Sequence, residues 1–408
     1  MRYVAARSCL MLLLIALAGC AGRKDCDACS ASAPAHPYPC DASVLSSPPN
    51  SFYSPAPIDM LFLSGGGSHG AFGAGVLYGW SGVSGADARP NEFAVVTGVS
   101  AGALQATWAF LGKSYDAELY RYHTTLDDDR VYKNRPGIAL LWASSVRTAE
   151  GLKNIIEQAF PAALIDKVGQ QSGKRLLCVG TVNLDSGKFV AWNMTAIAAD
   201  TTNPKRVQLY QDVLRASASV PLIFPPVKIG KTLYVDGGLR EEIFGGALIK
   251  EIETWRDNFS TRPAGQKDRA YVVTNMGLSV SPQCVQPRIP AVAERTVEVM
   301  LSEGHYGSVY RALHELGNKS SDLDIRYRYI PTNPPANYPI GLRPDTFDRD
   351  RMCRLFCKGY KESGEPWATD LPLNPDPLPA PSCGDSLLPA GDTLSDSDCP
   401  GTGPVCPP

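Results

Sequence analysis

The chain has 408 residues, of which 39 are lysine or arginine and 41 are aspartate or glutamate, giving a formal net charge of -2. Because the two signs are interspersed, the sequence offers no basic face for nucleic acid and no polycationic stripe for anionic lipid. We therefore expect no nucleic-acid partner, and the length is sufficient for one large hydrophobic core.

The N-terminus resembles a bacterial export signal. Two arginines precede the apolar run Leu10–Ala18, which is too short to span a bilayer permanently. The letters LAGC, ending at Cys20, resemble a lipobox, whose cysteine becomes the lipidated first residue of the mature protein. We predict a signal peptide over residues 1–19, a lipid anchor at Cys20 and export to a bacterial membrane, with Ala21 favouring the outer membrane. An ordinary signal peptide that leaves Cys20 as a plain thiol is the alternative.

The remaining cysteines suit an oxidising compartment. Of the 12 cysteines, ten are left once Cys9 and Cys20 are assigned to the signal and the anchor. Disulfides are therefore permitted, although spacing alone does not reveal their pairing. A zinc site at Cys26-x-x-Cys29 is disfavoured because no second pair of matching spacing follows, so we expect no metal. Residues 20–57, rich in Ala, Ser, Pro and Cys, predict an extended linker.

From residue 58 onward, strand-like and helix-like segments alternate. This order predicts an α/β fold, a three-layer α/β/α sandwich with a mostly parallel central sheet, over residues 58–364. A Pro/Ser/Gly-rich, cysteine-containing tail is predicted over residues 365–408. In chain order, the predicted elements are a strand at Ile58–Ser64, a helix from His69 to Trp80, a strand at Glu92–Gly98, a helix at Ala101–Gly112, a hairpin of Lys174–Asn183 with Gly187–Met194, strands at Thr232–Gly238 and Arg269–Met276, one long helix or a pair at Ala291–Gly317, and an edge strand at Asp324–Ile330.

The stretch Leu61–Trp80 contains seven glycines among its twenty residues. Its letters GGGSHG fit both the dinucleotide fingerprint G-x-G-x-x-G and the nucleophile-elbow pattern G-x-S-x-G. A dinucleotide site needs an acidic residue at the end of the second strand, but that strand ends in Thr97-Gly98, and Asp87 precedes it. We therefore expect no nucleotide and no other cofactor.

A second G-x-S-x-G follows the second strand, as GVSAG at Gly98–Gly102. Its strand–turn–helix context predicts that the Ser100 hydroxyl stands above the sheet. Ser68 fits the same pattern, so the pattern alone does not show which serine is the nucleophile. The two glycine-flanked turns can be distinguished by the roles that the reaction requires. Acyl transfer needs one nucleophile and several N–H donors directed at the oxyanion. Three consecutive glycines suit the donor role, which leaves Ser100 to attack.

A serine nucleophile also needs a base. None of the five histidines lies in a strand-end loop after the nucleophile: His123 is predicted on a helix surface, and His305 and His314 in the long helical region. Asp236, in the letters YVDGG, ends a strand, so its side chain should reach the same sheet edge as Ser100. Its ordinary pKa of about 3.9 makes it a poor base unless burial raises that pKa. A simple Asp-Gly-Gly turn is the structural alternative.

Taken in order, GGGSHG, GVSAG and DGG resemble the patatin-like phospholipase family over most of Ile58–Tyr360. The letters RASASVPLIFPPV at Arg215–Val227 resemble the family's segment before the aspartate strand. The resemblance implies hydrolysis of acyl esters in phospholipids, lysophospholipids or simpler lipids by a Ser–Asp dyad without histidine or metal. Carried over by position, it implies that Ser100 is the nucleophile and that Asp236 is the base. It also implies an oxyanion cradle formed by Gly65, Gly66, Gly67 and Gly70.

His69 departs from the family pattern, which usually has arginine or lysine at this position. A histidine is charged only where its pKa is near or above the ambient pH, so this departure predicts weaker or pH-dependent support of the cradle. The sequence as a whole predicts a lipid-anchored serine acyl hydrolase. Two alternatives remain: a histidine-dependent α/β hydrolase using His305 or His314, and a catalytically silent lipid-binding or scaffolding lipoprotein on the same fold.

Overall fold

The structure is a computed structural model that describes residues 37–40, 55–133, 145, 148–259, 263, 265–277, 284–317, 322–331 and 346–369. The chain divides into two units, Met1–Pro37 and Tyr38–Pro408, and every described strand and helix lies in the second. The predicted signal peptide, the predicted anchor Cys20 and most of the predicted linker and tail lie outside the described residues.

The second unit is organised around one sheet of eight described strands. They are β1 (Asp59–Leu63), β2 (Val95–Val99), β3 (Leu176–Asn183), β4 (Lys188–Asn193), β5 (Val227–Ile229), β6 (Thr232–Asp236), β7 (Asp268–Gly277) and β8 (Leu323–Ile330). Successive hydrogen-bonded neighbours are β5-β6-β3-β2-β1-β7-β8, and β4 also pairs with β3. The β1–β2, β2–β3, β1–β7 and β7–β8 pairs are parallel, and the β3–β4, β3–β6 and β5–β6 pairs are antiparallel.

Helices cover both faces of this sheet. They are α1 (Gly70–Trp80), α2 (Ala101–Leu111), α3 (Asp116–Thr124), α4 (Asp128–Val131), α5 (Glu150–Ala159), α6 (Ala162–Gly169), α7 (Met194–Ala199), α8 (Arg206–Ser217), α9 (Gly246–Phe259), α10 (Ile289–Gly317) and α11 (Arg349–Glu362). None of these described helices combines the length and the apolar character that crossing a bilayer requires.

Side-chain alternation along the strands creates the three layers. In β1, Leu61 and Leu63 join the larger buried cluster, which includes most of the helices, whereas Met60 and Phe62 join a second cluster formed with α9 and α10. Strands that bury both faces are typical of parallel sheets covered on both sides, which explains their continuous apolar runs. The predicted fold class is confirmed, and the segment 291–317 belongs to one helix.

The packed region extends beyond the predicted domain limits at both ends. Pro39 of the predicted linker forms an antiparallel bridge with Trp192 of β4. At the other end, the Trp367 ring packs 4.6 Å from that of Trp80, although the tail was predicted to begin at residue 365. Sequence composition missed both contacts because one or two anchoring residues do not change the average character of a polar segment.

A disulfide joins the N-terminal segment to the centre of the sheet. Cys40 is bonded to Cys178 of β3 across a sequence separation of 138 residues, and both side chains are buried. We expect Cys40→Ala/Cys178→Ala to lower the free energy of unfolding by about 3 kcal/mol, because the unfolded chain regains the entropy of a long open loop. Urea unfolding of the oxidised proteins measures this difference. Equal unfolding midpoints would show that the bond does not stabilise the fold.

Candidate active site

Strand pairing brings β2 and β6 to the same edge of β3. Residues 178–183 of β3 pair with β4 along one edge. Residues 176–180 also pair with β2, and residues 181–183 also pair with β6, so both of these strands must occupy the opposite edge. Because β2 is parallel to β3 and β6 is antiparallel to it, β2 and β6 meet end to end.

The two predicted catalytic residues lie at this meeting point. Val99, the last residue of β2, pairs with Gly180, and Asp236, the last residue of β6, pairs with the next residue, Thr181. Ser100 directly follows Val99 in the chain. The structure therefore brings Ser100 and Asp236 together at one edge of β3, where the ends of the two strands meet head-on.

Ser100 occupies a strained turn between β2 and α2. Its φ of 52° and ψ of -122° are backbone angles that side-chain-bearing residues rarely adopt, as a nucleophile elbow requires. The Ser100 N–H donates to the Ser217 hydroxyl at 2.9 Å, and that hydroxyl donates to the Gly180 carbonyl at 2.6 Å. A Cβ on Gly102 would lie 2.5 Å from the carbonyl oxygens of Leu63 and Ser64, so only glycine fits after the elbow.

Asp236 is almost fully buried beside Ser100. Its Oδ1 accepts the Gly238 N–H at 2.8 Å. Burial raises the pKa of this carboxyl, and hydrogen bonding from the Ser100 hydroxyl and the Gly238 N–H lowers it in part. Among the described residues, Oδ2 makes no hydrogen bond of good geometry. Catalytic hydrogen bonds are often poorly aligned until a substrate is bound. The raised pKa is what a carboxyl needs to act as a base near neutral pH.

The segment after α8 supports both members of this pair. Ser217, at the end of α8, accepts from the Ser100 N–H, and the Ser219 carbonyl accepts from the Asp236 N–H at 3.0 Å. In the sequence, the letters RASAS carry a family resemblance but no predicted role. Ser217 acts through its hydroxyl, whereas residue 219 acts through its main-chain carbonyl, so the serine at position 217 is the letter that gains a physical function.

The glycine loop between β1 and α1 contributes unequally to a possible oxyanion cradle. Gly66, with φ of 154°, and Gly67, with φ of 53°, line the same cavity as Ser100. Among the described residues, no hydrogen bond engages the N–H of either glycine. The Gly65 N–H instead donates to Glu242 Oε2 at 3.0 Å, and the Gly70 N–H donates back to the carbonyls of its own turn. Of the four predicted donors, Gly66 and Gly67 are therefore the ones left available.

Two buried amides that the sequence analysis did not single out hold this loop. Asn275, at the end of β7, donates its side-chain N–H to the Ser64 carbonyl at 2.7 Å and accepts the Gly73 N–H at 3.0 Å. Gln105 of α2 donates to the Gly70 carbonyl at 2.6 Å. Two sequence signals could have identified these residues. Gln105 is a polar residue inside an alanine-rich helix, and Asn275 is a polar residue near the end of a buried strand.

Glu242 is a third ionisable group at this site and was also missed. Its side chain is buried, and it lines the same cavity as Ser100 and Asp236. Burial raises the pKa of the Glu242 carboxyl, the nearby Asp236 charge raises it further, and the Gly65 N–H lowers it. In the sequence, Glu242 follows Arg240 and Glu241 and belongs to none of the motifs that predicted the site.

The histidines occupy other positions. His123, predicted on a helix surface, is instead buried and lines the cavity, because α3 packs against α1 and α2. Its Nδ1 lies 2.9 Å from the Leu119 carbonyl, and burial lowers its pKa to about 4, which keeps the ring neutral. His305 is buried within α10, and His69 is buried in the turn before α1; neither lines the cavity. The side chain of His314 is not described.

The cavity itself has a volume of about 260 Å³. Its polar groups include those of Ser100, Asp236, Glu242 and the glycine loop. Much of the remaining wall is apolar, including Leu104, Trp108, Ile155, Ile156, Ala159 and Phe160. Trp108 stacks on Phe160 with ring centroids 4.7 Å apart, which gives this wall a rigid aromatic section. Such a cavity suits an apolar chain whose reactive carbonyl reaches Ser100.

Among the described residues, no group of three or more His, Cys, Asp or Glu side chains could hold a metal ion. The chemistry that the site offers is a serine hydroxyl, a buried carboxyl beside it and two N–H groups facing the same cavity. These are the parts that nucleophilic acyl transfer requires.

The segment that carries both Ser100 and Asp236 matches a known family. Residues 61–244 match the family model described as Patatin-like phospholipase. A search of curated proteins found no match. The matching solved structures include the crystal structure of VipD from Legionella pneumophila, with 11% sequence identity and a TM-score of 0.35. That match covers 76% of this chain and 66% of VipD, so the chain spans about two thirds of its length.

Proposed function

We propose that this chain, which carries a patatin-like phospholipase domain over residues 61–244, is a lipid acyl hydrolase that works through Ser100 and Asp236. The observation that carries the proposal is the meeting of β2 and β6. It sets a strained serine beside a buried carboxyl at the wall of an apolar cavity. An acyl ester fits both features of the site, because Ser100 can attack its carbonyl carbon and the apolar wall can contact its hydrocarbon chain.

In the proposed reaction, Ser100 Oγ attacks the ester carbonyl carbon as its proton passes to Asp236. The carbonyl oxygen becomes an oxyanion that the Gly66 and Gly67 N–H groups and the N-terminus of α2 stabilise. The carbon–oxygen bond to the leaving alcohol breaks, and Asp236 returns the proton to that alcohol. Water then gives a proton to Asp236 and attacks the acyl-serine carbonyl carbon. The bond between Ser100 Oγ and that carbon breaks, Asp236 returns the proton to Oγ, and the fatty acid is released.

Two measurements on the purified protein test this function. Labelling by a fluorophosphonate probe must modify Ser100, and mixed-lipid vesicles must release fatty acid. A silent lipid-binding protein would remain unlabelled and release none, which would overturn the proposal. The histidine-dependent alternative has less support, because Ser100 interacts with a carboxyl and His305 does not line the cavity.

The apolar wall predicts a dependence on acyl-chain length. Ala159→Trp fills part of the cavity, so we expect kcat/KM for a dodecanoyl ester to fall about tenfold or more while an acetyl ester is little affected. Hydrolysis of a p-nitrophenyl ester series measures this change. Glu157→Trp is the matched control because Glu157 lies on the solvent face of the same helix. An equal loss for both esters would argue against an acyl-binding cavity.

Export and a lipid anchor at Cys20 also remain part of the proposal. The sequence signal supports them, and a buried disulfide between Cys40 and Cys178 is the kind of bond that persists in oxidising compartments. Cell fractionation tests this point, since a protein recovered wholly from the cytoplasm would contradict it.

A further inference from the structure

Glu242 is wedged between the two glycine turns of the site. Its Oε2 accepts the Gly65 N–H at 3.0 Å. A Cβ on Gly65 would lie 2.3 Å from Oε2, and a Cβ on Gly238 would lie 2.2 Å from Oε1, so the carboxyl fills the space between these backbones. The Glu242 N–H donates to the Ser308 hydroxyl at 3.1 Å, so α10 fixes the backbone of Glu242.

The same geometry makes Glu242 a close neighbour of the proposed base. The Cβ position of Gly238 that lies beside Glu242 Oε1 is only 3.2 Å from Asp236 Oδ1. Both carboxyl groups are almost fully buried, at 2% and 1% exposure. Both carboxyl groups therefore lie against the same Cβ position, and the Asp236 charge raises the pKa of Glu242. Two buried carboxylates that are this closely coupled cannot both be ionised without a large cost, so the pair retains one proton.

The hydrogen-bond donors decide which carboxyl keeps that proton. Among the described residues, the Gly238 N–H and the Ser100 hydroxyl both act on Asp236, whereas the Gly65 N–H acts on Glu242. Donors stabilise the charged form, so the negative charge resides on Asp236 and the proton on Glu242. A charged Glu242 would also oppose the oxyanion that forms beside the same glycine loop.

We propose that Glu242 is a positioning residue of the acyl-transfer site, which holds the glycine loop through Gly65 and keeps a proton beside Asp236. This inference rests on the proposed function for its catalytic meaning. Glu242 does not touch the reacting atoms. It leaves Asp236 as the single charged carboxyl and fixes Gly65, so that the next two N–H groups face the cavity.

Few other charged groups face Glu242. Asp236 is the neighbour whose charge acts on it. On α10, Arg311 donates to the Ser308 hydroxyl, and burial lowers the pKa of His305 to about 4, which keeps that ring neutral. Across the cavity, Arg295 and Glu298 form an ion pair with each other at 2.9 Å. Proton exchange at Glu242 is therefore governed chiefly by Asp236.

The first test is the pH profile of kcat/KM for an ester substrate. In the wild-type protein, activity should rise as Asp236 loses its proton and fall about tenfold at higher pH as Glu242 ionises. Glu242→Gln copies the protonated acid, so it should retain neutral-pH activity and lose the alkaline decline. Glu242→Ala, which removes the hydrogen bond to the Gly65 N–H, should lower kcat by about 10²-fold. Glu241→Gln is the matched control and should keep the wild-type profile.

Two results would overturn the inference: an alkaline decline that persists in Glu242→Gln, or a folded Glu242→Gln protein that is inactive at every pH. If the wild-type protein hydrolyses no ester, the proposed function fails separately, and a second readout still judges Glu242.

That readout is the thermal midpoint as a function of pH. A raised folded-state pKa means that the stability contribution of Glu242 is complete below its unfolded value of about 4.3 and is lost as the pH rises through the folded value. The midpoint of Glu242→Gln minus that of wild type should therefore increase with pH. A constant difference would show that Glu242 holds no such proton, whatever the activity.

Discussion

Ser100→Ala is expected to reduce ester hydrolysis on the order of 10⁴-fold or more while the protein remains folded. The hydroxyl supplies the oxygen that forms the acyl intermediate, and no other described serine or cysteine hydroxyl or thiol lies both in a strained turn and beside Asp236. Fatty-acid release from vesicles and fluorophosphonate labelling measure the loss. The thermal midpoint establishes that the fold is retained.

Ser68→Ala is the matched control for this result. Ser68 fits the same G-x-S-x-G pattern, but it is buried in the turn before α1 and does not line the cavity. We expect this variant to stay within a few-fold of wild-type activity. If Ser68→Ala were inactive and Ser100→Ala active, the assignment of the two serines would have to be reversed.

Asp236→Asn is expected to lower kcat by about 10³-fold, because the amide cannot take the Ser100 proton. It should at the same time stabilise the protein at neutral and alkaline pH. Burial raises the folded-state pKa of Asp236, so the stability contribution of the acid is complete below about pH 3.9 and is lost as the pH rises through the folded value. An amide does not titrate and avoids that loss. Single-turnover rates and thermal midpoints across the pH range measure both effects.

Asp129→Asn is the control for this pair of effects because Asp129 is exposed on α4. It should change neither activity nor the pH dependence of stability. Full activity in Asp236→Asn would exclude Asp236 as the base and reopen the histidine-dependent alternative.

Much of the fold could be predicted from the chain alone, and particular elements show why. The runs 58–64 and 92–98 are apolar on both faces, so they could only be central strands of a covered sheet. The Leu184–Gly187 turn, flanked by apolar segments, predicted the β3–β4 hairpin, and the structure confirms it. Short-range patterns of this kind reflect burial and turn geometry, which depend on neighbouring residues.

Long-range packing was predicted less well. His123 looked like a surface residue because the helix around it is polar, yet α3 is covered on that side by α1 and α2. Cys40 looked like part of a linker, yet its partner is Cys178, far along the chain. Neither outcome depends on the residue's own neighbours in sequence.

The sequence by itself determined the parts of the site: a serine in a glycine-flanked turn, an aspartate that ends a strand and a run of glycines after the first strand. Local steric requirements select these residues, so a local pattern reveals them. Only the tertiary structure decided how the parts meet, because the end-to-end approach of β2 and β6 depends on how both strands pair with β3. The tertiary structure also buries Glu242 close to Asp236 and engages the Gly65 N–H with the Glu242 carboxyl. Burial and the proximity of two charges arise from residues distant in sequence, and they set the pKa values on which the proposed chemistry depends.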